Sequence, residues 1–505
     1  MANTLTQLIT RAPASADAIG APGQPSLSYG ALADLITATG KVLNGAGVGR
    51  GDAVAIVLPN GPEMAASFLA VASYATSAPL NPDYRADEFR FYLADLDTKA
   101  IVLQAGAESP ARMVAGELGI TIIELTPVAD GPAGAFTLST AAKGTAVSPG
   151  LAQPNDVGLV LHTSGTTSRP KIVPLSHGNL TASAGHISGV LGLKGEDRCL
   201  NIMPLFHIHG LLAAVSASMA AGASVSCTPG FNALKFFGWL DQVKPTWYTA
   251  VPTMHQAILS RAARNEASVK AARLKFIRSS SASLPPAVML DLEKTFGCPV
   301  IESYGMTEAS HQMASNPLPP RARKPGSVGV AAGPEVAIMD DDGAMLPSGE
   351  IGEVVIRGPN VTAGYVNNPD ANAKAFTNGW FRTGDQGMLD GEGYLTITGR
   401  LKEIINRGGE KIAPLEVDNI INDHPAVRQV LTFAMPHAKL GEEVAAAVVL
   451  VEGASATEQE IRDFAAQRLA DFKVPRRVVF LAEIPKGATG KLQRIGLAEK
   501  LGLAG

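Results

Sequence analysis

The chain has 505 residues, 46% of them hydrophobic, with 42 basic and 46 acidic residues for a formal net charge of −4 at pH 7. Such a length and apolar content can bury a large core and divide into at least two domains, while the near balance of charge excludes a broad attraction for nucleic acid or an anionic membrane. Three widely spaced cysteines, Cys199, Cys227 and Cys298, form no C-x-x-C pair; they read as buried thiols in a reducing compartment, not as a disulfide scaffold or a zinc site.

In chain order, Met1-Ala2-Asn3-Thr4-Leu5-Thr6-Gln7 lacks a basic segment followed by an apolar one, so no secretory signal is expected, and Leu503-Ala504-Gly505 is not a Ser-Lys-Leu peroxisomal address. A cytoplasmic location is expected. Residues 41–100 alternate a short apolar strand at 52–58, an amphipathic helix at 63–74 and a strand at 100–103, the pattern of βαβ units and a mainly parallel sheet. The Pro/Gly/Ala/Ser-rich stretch 127–154 has little periodicity and reads as connector. Residues 199–234 carry no Asp, Glu, Lys or Arg, but Pro204, Gly210, Gly222 and Pro229 interrupt them; a buried helix followed by a strand is predicted, not a membrane span.

The alternation resumes to residue 296, with strands at 247–252 and 275–281. Loops at the carboxyl ends of parallel strands are where α/β sheets bind ligands, which places 279–283 and 304–308 beside 163–171 in one site. From 327 to 399 the texture changes to short β segments with turns such as Asp341-Asp342-Gly343 and Glu392-Gly393-Tyr394, a small β-rich subdomain closing the large one. Beyond residue 402 a separate α+β lobe is predicted: helix 416–422, strands 427–433 and 443–450, helix 457–469.

The apolar run Val157-Gly158-Leu159-Val160-Leu161 opens into Thr163-Ser164-Gly165-Thr166-Thr167-Ser168-Arg169-Pro170-Lys171. Hydroxyls and a glycine let backbone N–H and side-chain O–H groups converge on phosphate oxygens, and Lys171 adds charge. The pattern is not G-x-x-x-x-G-K-[ST], so it is not a Walker loop. Further stretches follow in order: Ser303-Tyr304-Gly305-Met306-Thr307-Glu308, Thr383-Gly384-Asp385, Gly399-Arg400-Leu401-Lys402-Glu403 and Gly490-Lys491-Leu492-Gln493-Arg494. Together the five resemble the motifs of the adenylate-forming superfamily of acyl- and aryl-CoA synthetases, luciferases and peptide-synthetase adenylation domains, over nearly the whole chain.

That resemblance implies an α/β N-terminal adenylation domain over 1–400 and a small mobile C-terminal domain over 403–505, hinged near Lys402. It implies ATP and Mg²⁺ as cofactors, coenzyme A as co-substrate, and activation of a carboxylic acid as its adenylate. Thr163, Ser164, Gly165, Thr166, Thr167 and Lys171 would hold the β- and γ-phosphates. Glu308 would bind Mg²⁺ and, with Thr307 and Lys491, form the catalytic set. Tyr304 would lie along the adenine, Asp385 would take the ribose hydroxyls with Arg400 nearby, and Ser283 would also contact the nucleotide. Lys491 would reach between acid and α-phosphate during adenylation only, as a mobile lobe permits, while Gly408 and Gly409 would meet coenzyme A after rotation. These glycines equally read as an ordinary turn.

Around the expected acyl pocket stand His207, His209 and His311, with serines at 279–281 and 283. A short, filled, polar pocket suits a small dicarboxylate whose second carboxylate must be paired, with His207, Ser281 and His311 as its candidate contacts. The motif set looks closest to oxalate:CoA ligases of the 4-coumarate:CoA ligase-like branch. It departs at Ile172, where many superfamily members have glycine; a β-branched residue should stiffen the loop exit. Other small, medium-chain or aryl acids, transfer to a carrier-protein thiol, and a non-catalytic ATP- and acid-binding sensor stay open as alternatives. A monomer or homodimer is expected, with neither nucleic acid nor membrane as partner.

Overall fold

Short runs of Val, Ile and Ala, each followed by a helix, return to the sheet by crossover connections and so pair in parallel. A computed structural model describes residues 2–163, 170–486 and 492–503, and among these two large sheets form. The first runs, in spatial order, Gln24–Ser28, Asp17–Ala21, Ser224–Cys227, Arg198–Asn201, Trp247–Ala250, Phe276–Ser279, Val300–Met306, His311–Ser315 and Val330–Ala331. It is parallel from Asp17–Ala21 through Val300–Met306 and antiparallel at both margins. The second runs Phe136–Ser139, Thr121–Pro127, Ala100–Gln104, Ala53–Val57, Thr76–Pro79, Val157–Thr163 and Lys171–Ser176.

Alternation along the strands sorts residues into layers. Trp247 and Phe276 face inward to a core shared with Val102 of the second sheet and with Phe68 and Leu212 of the helices between the sheets. Tyr248 and Ile277 face outward against Leu240, Ile258 and Leu292, and Ile101 faces outward against Phe89 and Val114. The uncharged run at 199–234 forms the buried helical segments His209–Ser216 and Ala217–Ala221, then strand Ser224–Cys227. No helix among the described residues is long and apolar enough to cross a membrane.

The reading of 127–154 as plain connector is corrected: Phe136–Ser139 pairs antiparallel with Thr121–Pro127 as an edge strand. The region from 327 to 399 folds as antiparallel β, with one added helix at Pro369–Ala375. A last sheet, built from Ile405–Arg407, Glu410–Ile412, Val427–His437, Gly441–Leu450 and Arg477–Phe480, has cores of its own. Val417, Ile421 and Ile461 pack on one face, Phe433 and Leu497 on the other. Its described polar links to helix Pro252–Ala262 are long: Gln256 Nε2 to the Arg428 carbonyl and Gln429 Nε2 to Gln256 Oε1, both at 3.5 Å.

Candidate active site

Strand Val300–Met306 continues beyond its parallel neighbour, turns through Thr307–Ala309 and comes back as His311–Ser315. The hairpin slips register after Tyr304 so that Gly305 faces Gln312, and a Cβ on Gly305 would stand 1.5 Å from the His311 carbonyl oxygen. Only glycine permits that approach. Ser310 and His311 both take positive φ, 48° and 90°, which costs on the order of 1 kcal/mol each. Hydrogen bonds from distant elements hold the turn in place. Asn360 Nδ2 donates to the Ala309 and Gln312 carbonyls at 2.8 Å, the Thr362 N–H to the Glu308 carbonyl at 2.7 Å, and the Ser183 hydroxyl to the Ser310 carbonyl at 2.5 Å.

The Glu308 side chain is thereby buried at the mouth of the second sheet. Tyr365 donates its hydroxyl to Glu308 Oε1 at 2.9 Å, and Lys171 Nζ lies over the Tyr365 ring, 4.3 Å from its centroid. Burial raises the Glu308 carboxyl pKa, against the Tyr365 hydrogen bond and the charges of Lys171 and Arg400. Burial lowers the Lys171 pKa; the Glu308 charge opposes this and the Lys402 charge adds to it. Across the same cleft, Tyr304 donates to Asp385 Oδ2 at 2.5 Å and Arg400 Nε to Asp385 Oδ1 at 3.1 Å. Desolvation and the Asp385 charge raise the Tyr304 phenol. Asp385, 5% exposed, retains lone pairs for two further donors.

On the other side of the turn, His209 begins a π-helical segment, a deformation frequent at functional sites. His209 Nδ1 lies 3.0 Å from Ser281 Oγ and Nε2 lies 2.6 Å from Thr249 Oγ1. The His209 and His311 rings meet edge to face with centroids 5.0 Å apart. Ser281 holds a φ of 73° at the carboxyl end of its strand. Behind these groups Arg278, fully buried, reaches His209, Thr249 and Gln312.

The structure thus brings together Lys171, Tyr304, Glu308, Asp385, Arg400 and Lys402 on one side of the turn, and Ser281 and His311 on the other. Thr307 is half-buried in the turn itself, and Thr163 stands directly opposite Lys171 across an antiparallel pair. Ile172 is buried beside Ala78 and Val160, where its branched side chain anchors the strand. His207 is half-buried, and its Nδ1 accepts from the His209 N–H at 3.3 Å; His209, two residues on, is the histidine bonded to Ser281. Ser283 is exposed. Gly408 and Gly409, with φ of 60° and 101°, form the two-residue turn between Ile405–Arg407 and Glu410–Ile412. Ser164, Gly165, Thr166, Thr167 and Lys491 lie outside the described residues.

Sequence reasoning missed Tyr365 and Arg278. Tyr365 carries no motif signal. Arg278 had one: a lone cation inside the buried strand Phe276–Ser279. Among the described residues no group of three or more His, Cys, Asp or Glu gathers to hold a metal, so Glu308 offers one hard carboxylate oxygen donor set. That fits a Mg²⁺ shared with nucleotide phosphates, which commonly takes one or two carboxylates and keeps several waters.

A family model described as AMP-binding enzyme matches residues 9–366, and a second, AMP-binding enzyme C-terminal domain, matches 416–491. The chain belongs to the AMP-binding enzyme family. Among curated members, it is 46% identical over 485 residues to the oxalate–CoA ligase of Arabidopsis thaliana, covering 94% of each chain. It is 42% identical over 475 residues to that of Saccharomyces cerevisiae, covering 89% of this chain and 87% of the other. Among solved structures, ATP-bound MatB from Rhodopseudomonas palustris superposes with a TM-score of 0.87 at 29% identity, covering 99% of both chains.

Proposed function

We propose that this AMP-binding enzyme is an ATP-dependent acid:CoA ligase that converts oxalate into oxalyl-CoA. The observation that carries the choice of acid is the wall behind the Glu308 turn, built of imidazole and hydroxyl groups from His209, Ser281 and His311 where a longer acid would want apolar side chains. The 46% identity to the Arabidopsis oxalate–CoA ligase supports the same reading.

Two anions must meet, and positioning and electrostatics supply most of the rate. An oxalate oxygen attacks the α-phosphorus of ATP, the bond to pyrophosphate breaks, and oxalyl adenylate forms; the coenzyme A thiol then replaces AMP, losing its proton to solvent. In this scheme Thr163, Ser164, Gly165, Thr166, Thr167 and Lys171 bind the β- and γ-phosphates. Tyr304, Asp385 and Arg400 orient the nucleoside, with Ser283 at the rim. Glu308, held by Tyr365 beside Thr307, would hold Mg²⁺, which when bound supplies charge compensation for the phosphates.

Lys491 serves the first half-reaction from a C-terminal lobe, residues 403–505, that turns about Lys402 and then presents Gly408 and Gly409 to coenzyme A. His311, His207 and Ser281 contact the oxalate. The buried thiols Cys199, Cys227 and Cys298 agree with a reducing, cytoplasmic setting. ATP–pyrophosphate exchange tests the reading: exchange should depend on oxalate and proceed without coenzyme A. Exchange that ignores oxalate and responds to a medium-chain or aryl acid overturns the assignment of substrate.

A further inference from the structure

Inward alternation on strand Phe276–Ser279 puts Arg278 in the interior, on the face that carries Phe276. The side chain is fully buried, and none of the described hydrogen-bond partners of its guanidinium, His209, Thr249 and Gln312, carries a negative charge. Arg278 Nε and Gln312 Nε2 are buried donors with no acceptor among the described residues. No carboxylate pairs with Arg278 there either. Cys199, whose charge would complement it, is pushed up by burial and stays a neutral thiol. Burial lowers the Arg278 pKa to about 9, still above neutrality, so the group is a cation at working pH. A buried, uncompensated charge is strongly unfavourable and is found where an anion completes it.

The hydrogen bonds show how that charge reaches the pocket. Arg278 Nη1 donates to Thr249 Oγ1 and to His209 Nε2, each at 3.4 Å, and Thr249 Oγ1 stands 2.6 Å from the same imidazole nitrogen. A nitrogen facing these donors must accept, so the ring proton sits on Nδ1 and is donated to Ser281 Oγ at 3.0 Å. The Ser281 hydroxyl hydrogen is then left to point away from His209. Ser281 is half-exposed in its left-handed conformation at the strand end, which presents that hydrogen to the acid site.

We infer that Arg278 is a positioning residue for acid selection: through Thr249, His209 and Ser281 it makes the pocket prefer acids with a second negative charge next to the reacting carboxylate. The inference rests on the reading of this pocket as the acid site of an oxalate ligase. The test compares oxalate with oxamate, which has the same size but an amide in place of one carboxylate, using KM or, where turnover is absent, Ki. Arg278→Met should lower the oxalate-over-oxamate preference by about 30-fold through the KM for oxalate, the loss expected of a charged hydrogen bond, with the KM for ATP within about twofold. Arg278→Lys keeps the charge and should keep most of the preference. Thr249→Val cuts the relay and should shift the same ratio by about 3- to 10-fold. An unchanged ratio in folded Arg278→Met, or in Thr249→Val should the first variant not fold, overturns the inference and leaves the oxalate reading standing. A wild-type protein that favours monocarboxylates over both probes overturns the oxalate reading and this inference with it.

Discussion

Replacing Tyr365 with Phe removes one hydroxyl and leaves the ring that Lys171 covers. Tyr365 is 8% exposed and its partner Glu308 is 6% exposed, so their 2.9 Å hydrogen bond is shielded from water. A hydrogen bond to a charged group in such a setting contributes about 1.5–3 kcal/mol. Burial already favours the protonated Glu308 carboxyl, and Tyr365 is among the groups that oppose burial. Without it, Glu308 ionises only at higher pH. Since one pH unit corresponds to about 1.36 kcal/mol, the acid limb of kcat/KM for MgATP should move up by about one to two pH units. The basic limb, assigned to Lys171, should stay in place because the ring beneath the ammonium is retained. The assay is oxalate-dependent ATP–pyrophosphate exchange across the pH range for both proteins. Superimposable acid limbs, or a loss of activity equal at every pH, would show that Tyr365 does not set the ionisation of Glu308.

Glu302 is buried beneath the same hairpin, with Oε1 accepting from the Leu284 N–H at 2.9 Å and Oε2 without a partner among the described residues. Burial pushes its carboxyl up to about 8, against the Leu284 hydrogen bond. The folded state therefore keeps a proton that the unfolded chain releases near pH 4.5. That contribution to stability is full below the unfolded value and lost as pH rises through about 8. Glu302→Gln should match the parent in denaturant unfolding near pH 5 and exceed it at pH 9 by on the order of 3 kcal/mol; a difference that does not change with pH contradicts this. Lys491→Ala should abolish adenylation, lowering it by at least about 100-fold, while leaving thioester formation from supplied oxalyl adenylate largely intact. Equal loss of both half-reactions would remove Lys491 from its single-step role.

Local signals made much of the fold legible. The βα alternation appears as apolar runs of strand length, and the turns of the β-rich region carry their Gly and Asp residues in the sequence. The contacts that complete the site are long-range and left no such trace. Asn360, Thr362 and Tyr365 reach the Glu308 turn from more than fifty positions away, and nothing in their own neighbourhood marks them. Phe136–Ser139 was invisible because an edge strand of four residues depends on its partner Thr121–Pro127, not on its own period. The histidines were visible as residue types, but the π-helical start at His209 decides which of them turns toward Ser281. Arg278 stood out as a charge in a strand, yet the lack of a carboxylate among its described partners is a property of the packed interior alone.

The product itself decides whether the protein is an oxalate:CoA ligase. Purified protein incubated with ATP, Mg²⁺, coenzyme A and, in parallel, oxalate, malonate or a medium-chain fatty acid should form a thioester with oxalate well above the other two, with AMP released in equal amount. Oxalyl-CoA, identified by its mass, is the predicted product. Thioester formed chiefly from the fatty acid, or AMP released with oxalate but without coenzyme A consumption, would contradict the account.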